Sequence, residues 1–225
     1  MNRNEQYVAA AFSRQSGIFD ESFSGNSIIQ YKRKRVRDLV SAWLPAHSKI
    51  LELNSGTGED AVWFAEQGHQ VHATDISSGM LQVLKDKVAS RGLQNKITAE
   101  CCSFTDLQSL KSKGPYDLIF SNFAGLNCTG EINRVLAQFD RLVNPSGFVI
   151  LVMMPGFCLW ETALLFRGKF KTAFRRVFSK KGVKARVEGI PFTCWYHQPA
   201  TIIAALKNNF HLLNTEGLCS LVRPS

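Results

Sequence analysis

Residues 50–58 read Ile50-Leu51-Glu52-Leu53-Asn54-Ser55-Gly56-Thr57-Gly58, and a second apolar run, Val71-His72-Ala73-Thr74, closes on Asp75. The first run has the length and composition of a short buried strand that empties into a glycine-rich turn. Glycine lets the main chain approach a ligand closely, and a helix starting near Glu59 would present unpaired N–H groups there. A carboxylate at the end of the neighbouring strand is placed to accept hydrogen bonds from a ribose. The pattern predicts a nucleotide-type site. Gly56-x-Gly58-x-x-Ala61 followed by Asp75 also fits the dinucleotide fingerprint, a short match with low specificity on its own.

Working outward, strands and helices alternate. Strands are expected at 49–53, 70–74, near 97–101, at 116–121 and at 147–153. Helices are expected at 28–43, 59–67, 78–91, 130–142 and 199–208, with a helical turn near 105–111. Such alternation means parallel strands with helices on both faces, and ligands bind beyond the carboxyl ends of the strands. In the helix at 28–43, Ile28, Tyr31, Val36, Leu39, Val40 and Trp43 form the core-facing stripe, and Lys32 to Arg35 are assigned to the solvated face. Residues 1–30 carry Tyr7, Phe12, Ile18, Phe19 and Phe23, which suit an ordered N-terminal arm.

The longer string Glu52-x-Asn54-x-Gly56-x-Gly58 resembles motif I of class I S-adenosylmethionine (SAM)-dependent methyltransferases. Asp75-Ile76-Ser77-x-x-Met80-Leu81 is similar to that family's second-strand signature. Tyr116-Asp117-Leu118-Ile119-Phe120-Ser121-Asn122 and Leu142-Val143-Asn144-Pro145-Ser146-Gly147-Phe148 resemble its fourth strand and the turn before its fifth. The resemblance covers roughly residues 35–154. It implies a Rossmann-like doubly wound α/β sheet of seven strands, mostly parallel. Strands near 210–216 and 218–222 would close it as an antiparallel C-terminal hairpin. The implied organisation is an N-terminal arm and helix (1–45), a SAM-binding core (46–154), an inserted substrate cap (155–198) and the end of the core (199–225).

The resemblance also assigns roles. Glu52 orders the loop around the methionine amino group. Asp75 takes the ribose hydroxyls, or otherwise caps the next helix. Ile76 and Met80 pack on adenine, or otherwise on the core. Ser103 and Phe104 stand where the family places an acid and a backbone N–H against the base, with Asp106 as a displaced acid. Asn122 binds the methionine end. Phe123 walls the transferable methyl, and Asn127 and Cys128 face the acceptor together with Trp160 and Tyr196 of the cap. One residue departs from the motif. Asn54 replaces its first glycine; asparagine tolerates left-handed backbone, but its side chain is expected to crowd the cofactor edge. His197 is the candidate general base, or otherwise a polar residue before a helix. Two consecutive prolines are missing after Asn122, which argues against methylation of bases or glutamine amides.

Composition narrows the rest. The chain has 225 residues, 45% of them hydrophobic, enough for one sizeable core with an insertion. Six cysteines without a Cys-x-x-Cys pair and a polar N-terminus suggest reduced thiols in a cytoplasm. No metal site is expected, because His69 and His72 would point to opposite faces of a strand. The net charge is +9. Most of the excess falls in 155–198, where Arg and Lys at 167, 169, 171, 175, 176, 180, 181, 184 and 186 face only Glu161 and Glu188. A basic amphipathic stretch at 163–178 fits a solvated helix face, a pocket rim for an anionic substrate, or peripheral contact with a lipid surface. RNA ranks below these, since the excess of basic residues is concentrated in the cap and no appended RNA-binding module is recognisable. The expected activity is methyl transfer from SAM, leaving S-adenosylhomocysteine (SAH). The expected acceptor is a small-molecule or lipid-like oxygen or nitrogen rather than carbon. The rivals are an RNA methyltransferase, a nicotinamide-dependent oxidoreductase and a non-catalytic SAM-binding protein.

Overall fold

The computed structural model describes residues 1–157 and 181–218. Five strands, β1 (Lys49–Leu53), β2 (Gln70–Asp75), β3 (Ile97–Cys101), β4 (Tyr116–Ser121) and β5 (Val143–Leu151), form one parallel sheet in the order β3-β2-β1-β4-β5. The chain steps outward from β1 to β3, then crosses back to lay β4 against the other side of β1. That reversal opens a crevice at the carboxyl ends of β1 and β4, the usual ligand position in such sheets.

Strand periodicity divides the core in two. Ile50, Leu118 and Phe120 face α3 (Ser27–Trp43), α4 (Glu59–Glu66) and α5 (Ser78–Ser90), and pack with Val36, Val40, Phe64, Leu81 and Leu84. Leu51, Leu53 and Ile119 point the opposite way, onto Leu107, Leu126, Val135 and Phe139. Phe120 is fully buried, so truncating it to alanine should cost about 3–5 kcal/mol. Glu52 alternates onto the α3 and α4 face with Ile50, a carboxylate among apolar groups.

The N-terminal arm is helical: α1 (Arg3–Gln15) starts on a capping box between Asn2 and Glu5, and α2 (Phe19–Ser24) follows. α6 (Ile132–Leu136) is much shorter than the expected 130–142. Gln138 Nε2 donates to the carbonyls of Arg134 and Phe104 at 3.0 and 3.3 Å, taking the Arg134 acceptor that a continuing helix would use.

The expected seven-stranded sheet is corrected to five strands plus a separate antiparallel hairpin, β6 (Val183–Val187) with β7 (Ile190–Cys194). This hairpin lies within residues 155–198, the expected cap, and packs on α1 through Phe192, Val8 and Ala11. After α7 (Pro199–Leu206), residues 210–216 form no strand. Leu212 and Leu213 are consecutive and would face opposite sides of a strand; both are exposed, and Glu216 instead pairs with Arg35 of α3 at 2.8 Å. Most of the expected strand at 218–222, the basic stretch at 163–178 and Trp160 lie outside the described residues. Among the described residues no helix is long and apolar enough to cross a membrane.

Candidate functional site

The motif I turn leaves β1 in left-handed steps at Asn54 (φ 48°), Gly56 (φ 56°) and Gly58 (φ 81°). A Cβ built on Gly56 meets nothing within 4 Å, so the main chain there faces open space. Asn54 does not crowd that space. Its Oδ1 accepts from Ser121 Oγ at 2.6 Å and its Nδ2 donates to the Asn122 carbonyl at 3.0 Å, so the side chain is turned onto the loop after β4. Gly125 makes room for it: a Cβ there would lie 2.2 Å from Asn54 Cγ.

Beneath the turn lies a buried charge cluster. Glu52 is 3% exposed, and its Oε2 has no hydrogen-bond partner among the described residues. Burial pushes its carboxyl well above the usual 4.5, and Asp60 adds to that; Arg33 and Arg37 pull it down, and Asp75 pushes it up again. Asp60 is itself held, by Arg37 Nε at 2.9 Å and by Asn122 Nδ2 at 2.9 Å. Asn122 therefore directs its amide at Asp60, while its Oδ1 accepts the Phe123 amide at 2.8 Å.

Arg33 is the counterpart of Glu52. Its guanidinium lies 4.8 Å from the Phe123 ring centroid, a cation–π contact. Asp60 and Glu59 stand 3.7 and 3.9 Å from its NH1, too far for hydrogen bonds. Its Nε and NH1 are buried without hydrogen-bond partners among the described residues. Placing Lys32 to Arg35 on a solvated face is thus wrong for Arg33, whose side chain is 11% exposed. Sequence reasoning missed Arg33, Arg37 and Asp60. The signal was present: Ile29, Arg33, Val36, Arg37 and Val40 fall on one helical stripe.

At the end of β2, Asp75 Oδ2 accepts the Gly56 amide at 2.9 Å and Oδ1 accepts the Ser77 amide at 2.8 Å. Burial raises its pKa, and the amides of Ser77, Gly56 and Ile76 draw it back. Ile76 is half-buried against Val8, Ala11 and Cys128. Met80 is sealed at 1% exposure, a core residue at this position. Past β3, Ser103 Oγ donates to Glu5 Oε1 at 2.7 Å. Phe104 turns inward onto the cluster around Leu107 and Phe139 rather than into open space, and Asp106 is exposed.

The loop after β4 is less open than expected. Asn127 is fully buried; its Nδ2 donates to the carbonyls of Met154 and Trp195 at 2.9 and 2.5 Å, and its Oδ1 accepts the Met154 amide at 2.9 Å. It clamps β5's exit to residue 195 and has no surface to offer an acceptor. Cys128 touches Cys194, and this contact together with burial pushes its thiol well above 9.0, the opposite of an activated nucleophile. Cys128 does line a cavity of about 370 Å³ with Arg3, Asn4, Glu131 and Trp195. His197 Nε2 lies 3.0 Å from the Thr129 carbonyl, so this nitrogen carries the proton and Nδ1 is the acceptor. Burial lowers its pKa, which the Thr129 contact partly offsets. Tyr196 is half-buried beside it.

With this geometry in place, a family model described as a methyltransferase domain matches residues 50–147. Residues 50–147 are thus similar to a methyltransferase domain, in keeping with the resemblance to class I SAM-dependent methyltransferases. The chain is 27% identical over 155 residues to a malonyl-[acyl-carrier protein] O-methyltransferase of Pectobacterium atrosepticum, covering 66% of this chain and 53% of that protein. It is 28% identical over 151 residues to a tRNA 5-carboxymethoxyuridine methyltransferase of Escherichia coli K12, covering 67% of this chain and 56% of that protein. The chain therefore spans about half the length of the curated relatives it matches. Among solved structures, the [4+2]-cyclase SpnF superposes with a TM-score of 0.65 over 92% of this chain and 71% of that one, at 14% identity. The likeness concerns the fold alone, and one fold hosts many chemistries.

Proposed function

We propose that the protein transfers the methyl group of SAM to an oxygen of a small-molecule or lipid-like acceptor that arrives as an anion, a carboxylate above all. The observation that carries the cofactor half of this reading is the bare pair under the motif I turn. Glu52 offers a buried acceptor, and Arg33 a buried cation whose Nε and NH1, though within ion-pair range of Asp60, make no hydrogen bond among the described residues. A zwitterionic amino-acid group satisfies both: its ammonium suits Glu52 and its carboxylate suits Arg33, so no buried charge is left unpaired. Asp75 then takes the ribose hydroxyls, and the open face of Gly56 lets the ligand lie against the main chain. Bound SAM supplies an electrophilic methyl on a sulfonium, whose C–S electron pair stays on sulfur when the methyl leaves.

The chain's own residues contribute position and dryness. Phe123, fixed by Arg33 and held at φ 50°, forms an apolar wall beside the cluster. Acid–base help is weak. Asn127 has no free polar atom, Cys128 holds its proton tightly, and His197 Nδ1 is a base of lowered pKa. An acceptor that is already deprotonated avoids this difficulty. Arg3 beside the Cys128 cavity suits an anion. The acceptors for which two relatives are named, malonyl and carboxymethoxy groups, both carry a carboxyl.

The test is transfer from SAM carrying a tritiated methyl to a panel of carboxylic, phenolic, amine, lipid and tRNA acceptors. A methyl ester releases volatile methanol in mild base. Base-labile label on a small carboxylic acid is the expected result. Base-stable label would overturn the carboxylate reading, and label on tRNA alone would favour the RNA reading.

A further inference from the structure

The N-terminal segment touches every loop that builds the cofactor site. From α1, Glu5 reaches the turn after β3, and Ser13 Oγ bonds Ser77 Oγ at 2.8 Å and the Gly79 amide at 3.3 Å, after β2. From α2, Asp20 Oδ1 accepts from Thr57 Oγ1 of the motif I turn at 2.5 Å, and its Oδ2 pairs with Lys87 at 2.6 Å. Val8 and Ala11 lie on the same face of α1 and cover Ile76.

The order of the strands fixes what α1 covers. On the proposed reading, the amino-acid end of SAM sits at Glu52 and Arg33, over β1 and β4, and the ribose sits at Asp75 on β2. The next strand outward is β3, so the base lies over Ser103. Ser103 is a hydroxyl already engaged, and the Asp106 carboxylate is exposed to solvent, so neither supplies a buried acceptor-only group. Glu5 does. Its carboxylate is 4% exposed, with Oε1 accepting from Ser103 Oγ at 2.7 Å and Thr105 Oγ1 at 2.6 Å, and Oε2 accepting the Asn2 amide at 2.7 Å. A carboxylate has about four acceptor positions, so one remains on Oε2. Burial pushes the Glu5 pKa up, but the hydroxyls of Ser103 and Thr105 and the Asn2 amide carry it below 4.5, so the group is ionised.

We propose that α1 roofs the adenine half of the cofactor site and that Glu5 is the residue that selects the exocyclic amino group of the base. The inference rests on the SAM reading of the site. An ionised carboxylate accepts from an amino group and repels a carbonyl oxygen at the same place. Glu5 is thus a specificity residue delivered by the N-terminal helix rather than by the β3 loop.

The test compares SAH with S-inosylhomocysteine, in which a carbonyl replaces the amino group, by calorimetry on the full chain and on Glu5→Gln and Glu5→Ala. Wild type should prefer SAH by about tenfold or more, as one hydrogen bond to a charged group implies. Glu5→Gln, whose amide can turn its N–H₂ to the carbonyl, should narrow that ratio to near unity or reverse it, and Glu5→Ala should narrow it. The ratio is its own control, because loosening of α1 weakens both ligands together. An unchanged ratio in both variants with SAH still bound would overturn the assignment and leave Glu5 as a latch for α1. Failure of wild type to bind either ligand would overturn the SAM reading and this inference with it.

Discussion

Ligand binding should drive a proton off Glu52. In the free chain burial holds this carboxyl well above 4.5, with Oε2 bare. An ammonium seated against it replaces the lost hydration and lowers the pKa. Linkage sets the sign. Below the raised value, binding SAH must expel a proton, so affinity falls as pH falls, by up to about tenfold per pH unit for a single group. Above the raised value Glu52 adds no slope. The stability of the free chain runs the other way. Between 4.5 and the raised value the folded chain holds a proton that the unfolded chain lacks, so this group's contribution declines as pH rises through the window. Asp75, also raised by burial, has the same sign, so Glu52→Gln is the needed control. In that variant the ammonium meets a neutral amide, a loss of about 1.5–3 kcal/mol or roughly ten- to hundredfold in Kd, and the part of the pH slope due to Glu52 disappears. The assay is calorimetric titration of SAH across pH in two buffers of different ionisation enthalpy. Heats that do not depend on the buffer, a Kd flat in pH, or wild-type affinity in Glu52→Gln would refute the reasoning.

Arg33→Ala should weaken SAH by about tenfold or more, because a cation opposite the ligand carboxylate is lost; fluorescence titration measures it, and wild-type affinity would remove Arg33 from the site. Asp75→Ala should cost a similar factor in the same assay, with unchanged affinity sinking the ribose assignment. Gly125→Ala forces a methyl onto the Asn54 side chain and should destabilise by about 1–3 kcal/mol. Adding Asn54→Gly removes the obstacle, so urea unfolding should show the pair strongly non-additive; simple additivity would mean the two residues do not share that space. Asn127→Ala leaves buried groups of Met154 and Trp195 without partners, at about 1–3 kcal/mol for each. Melting temperature should fall while SAH affinity is kept, the reverse of an acceptor-binding residue.

Much of the sheet was legible because β1 to β4 carry their own periodicity: short apolar runs bounded by turns fix strands to within a residue. What failed was anything that depended on a distant partner. The expected strand at 210–216 needed a neighbour and one apolar face, and Leu212 with Leu213 supplies neither. Asn54 is obstructive only in a motif isolated from Ser121 and Gly125, the residues that receive its side chain. Lys32, Lys34 and Arg35 mark this turn as solvated, although Arg33's own helical stripe runs from Ile29 to Val40. The same separation hid Glu5, whose partners Ser103 and Thr105 lie about a hundred residues away. Motif I specifies the turn, but not how the buried charges around it are balanced. In this chain that balance comes from α3, and the roof from α1, both of which precede the motif in sequence and carry no signature of their own. A cofactor site of this kind is therefore found from its glycines and its aspartate, while on the proposed reading its affinity and base specificity are set by helices that only the fold brings to it.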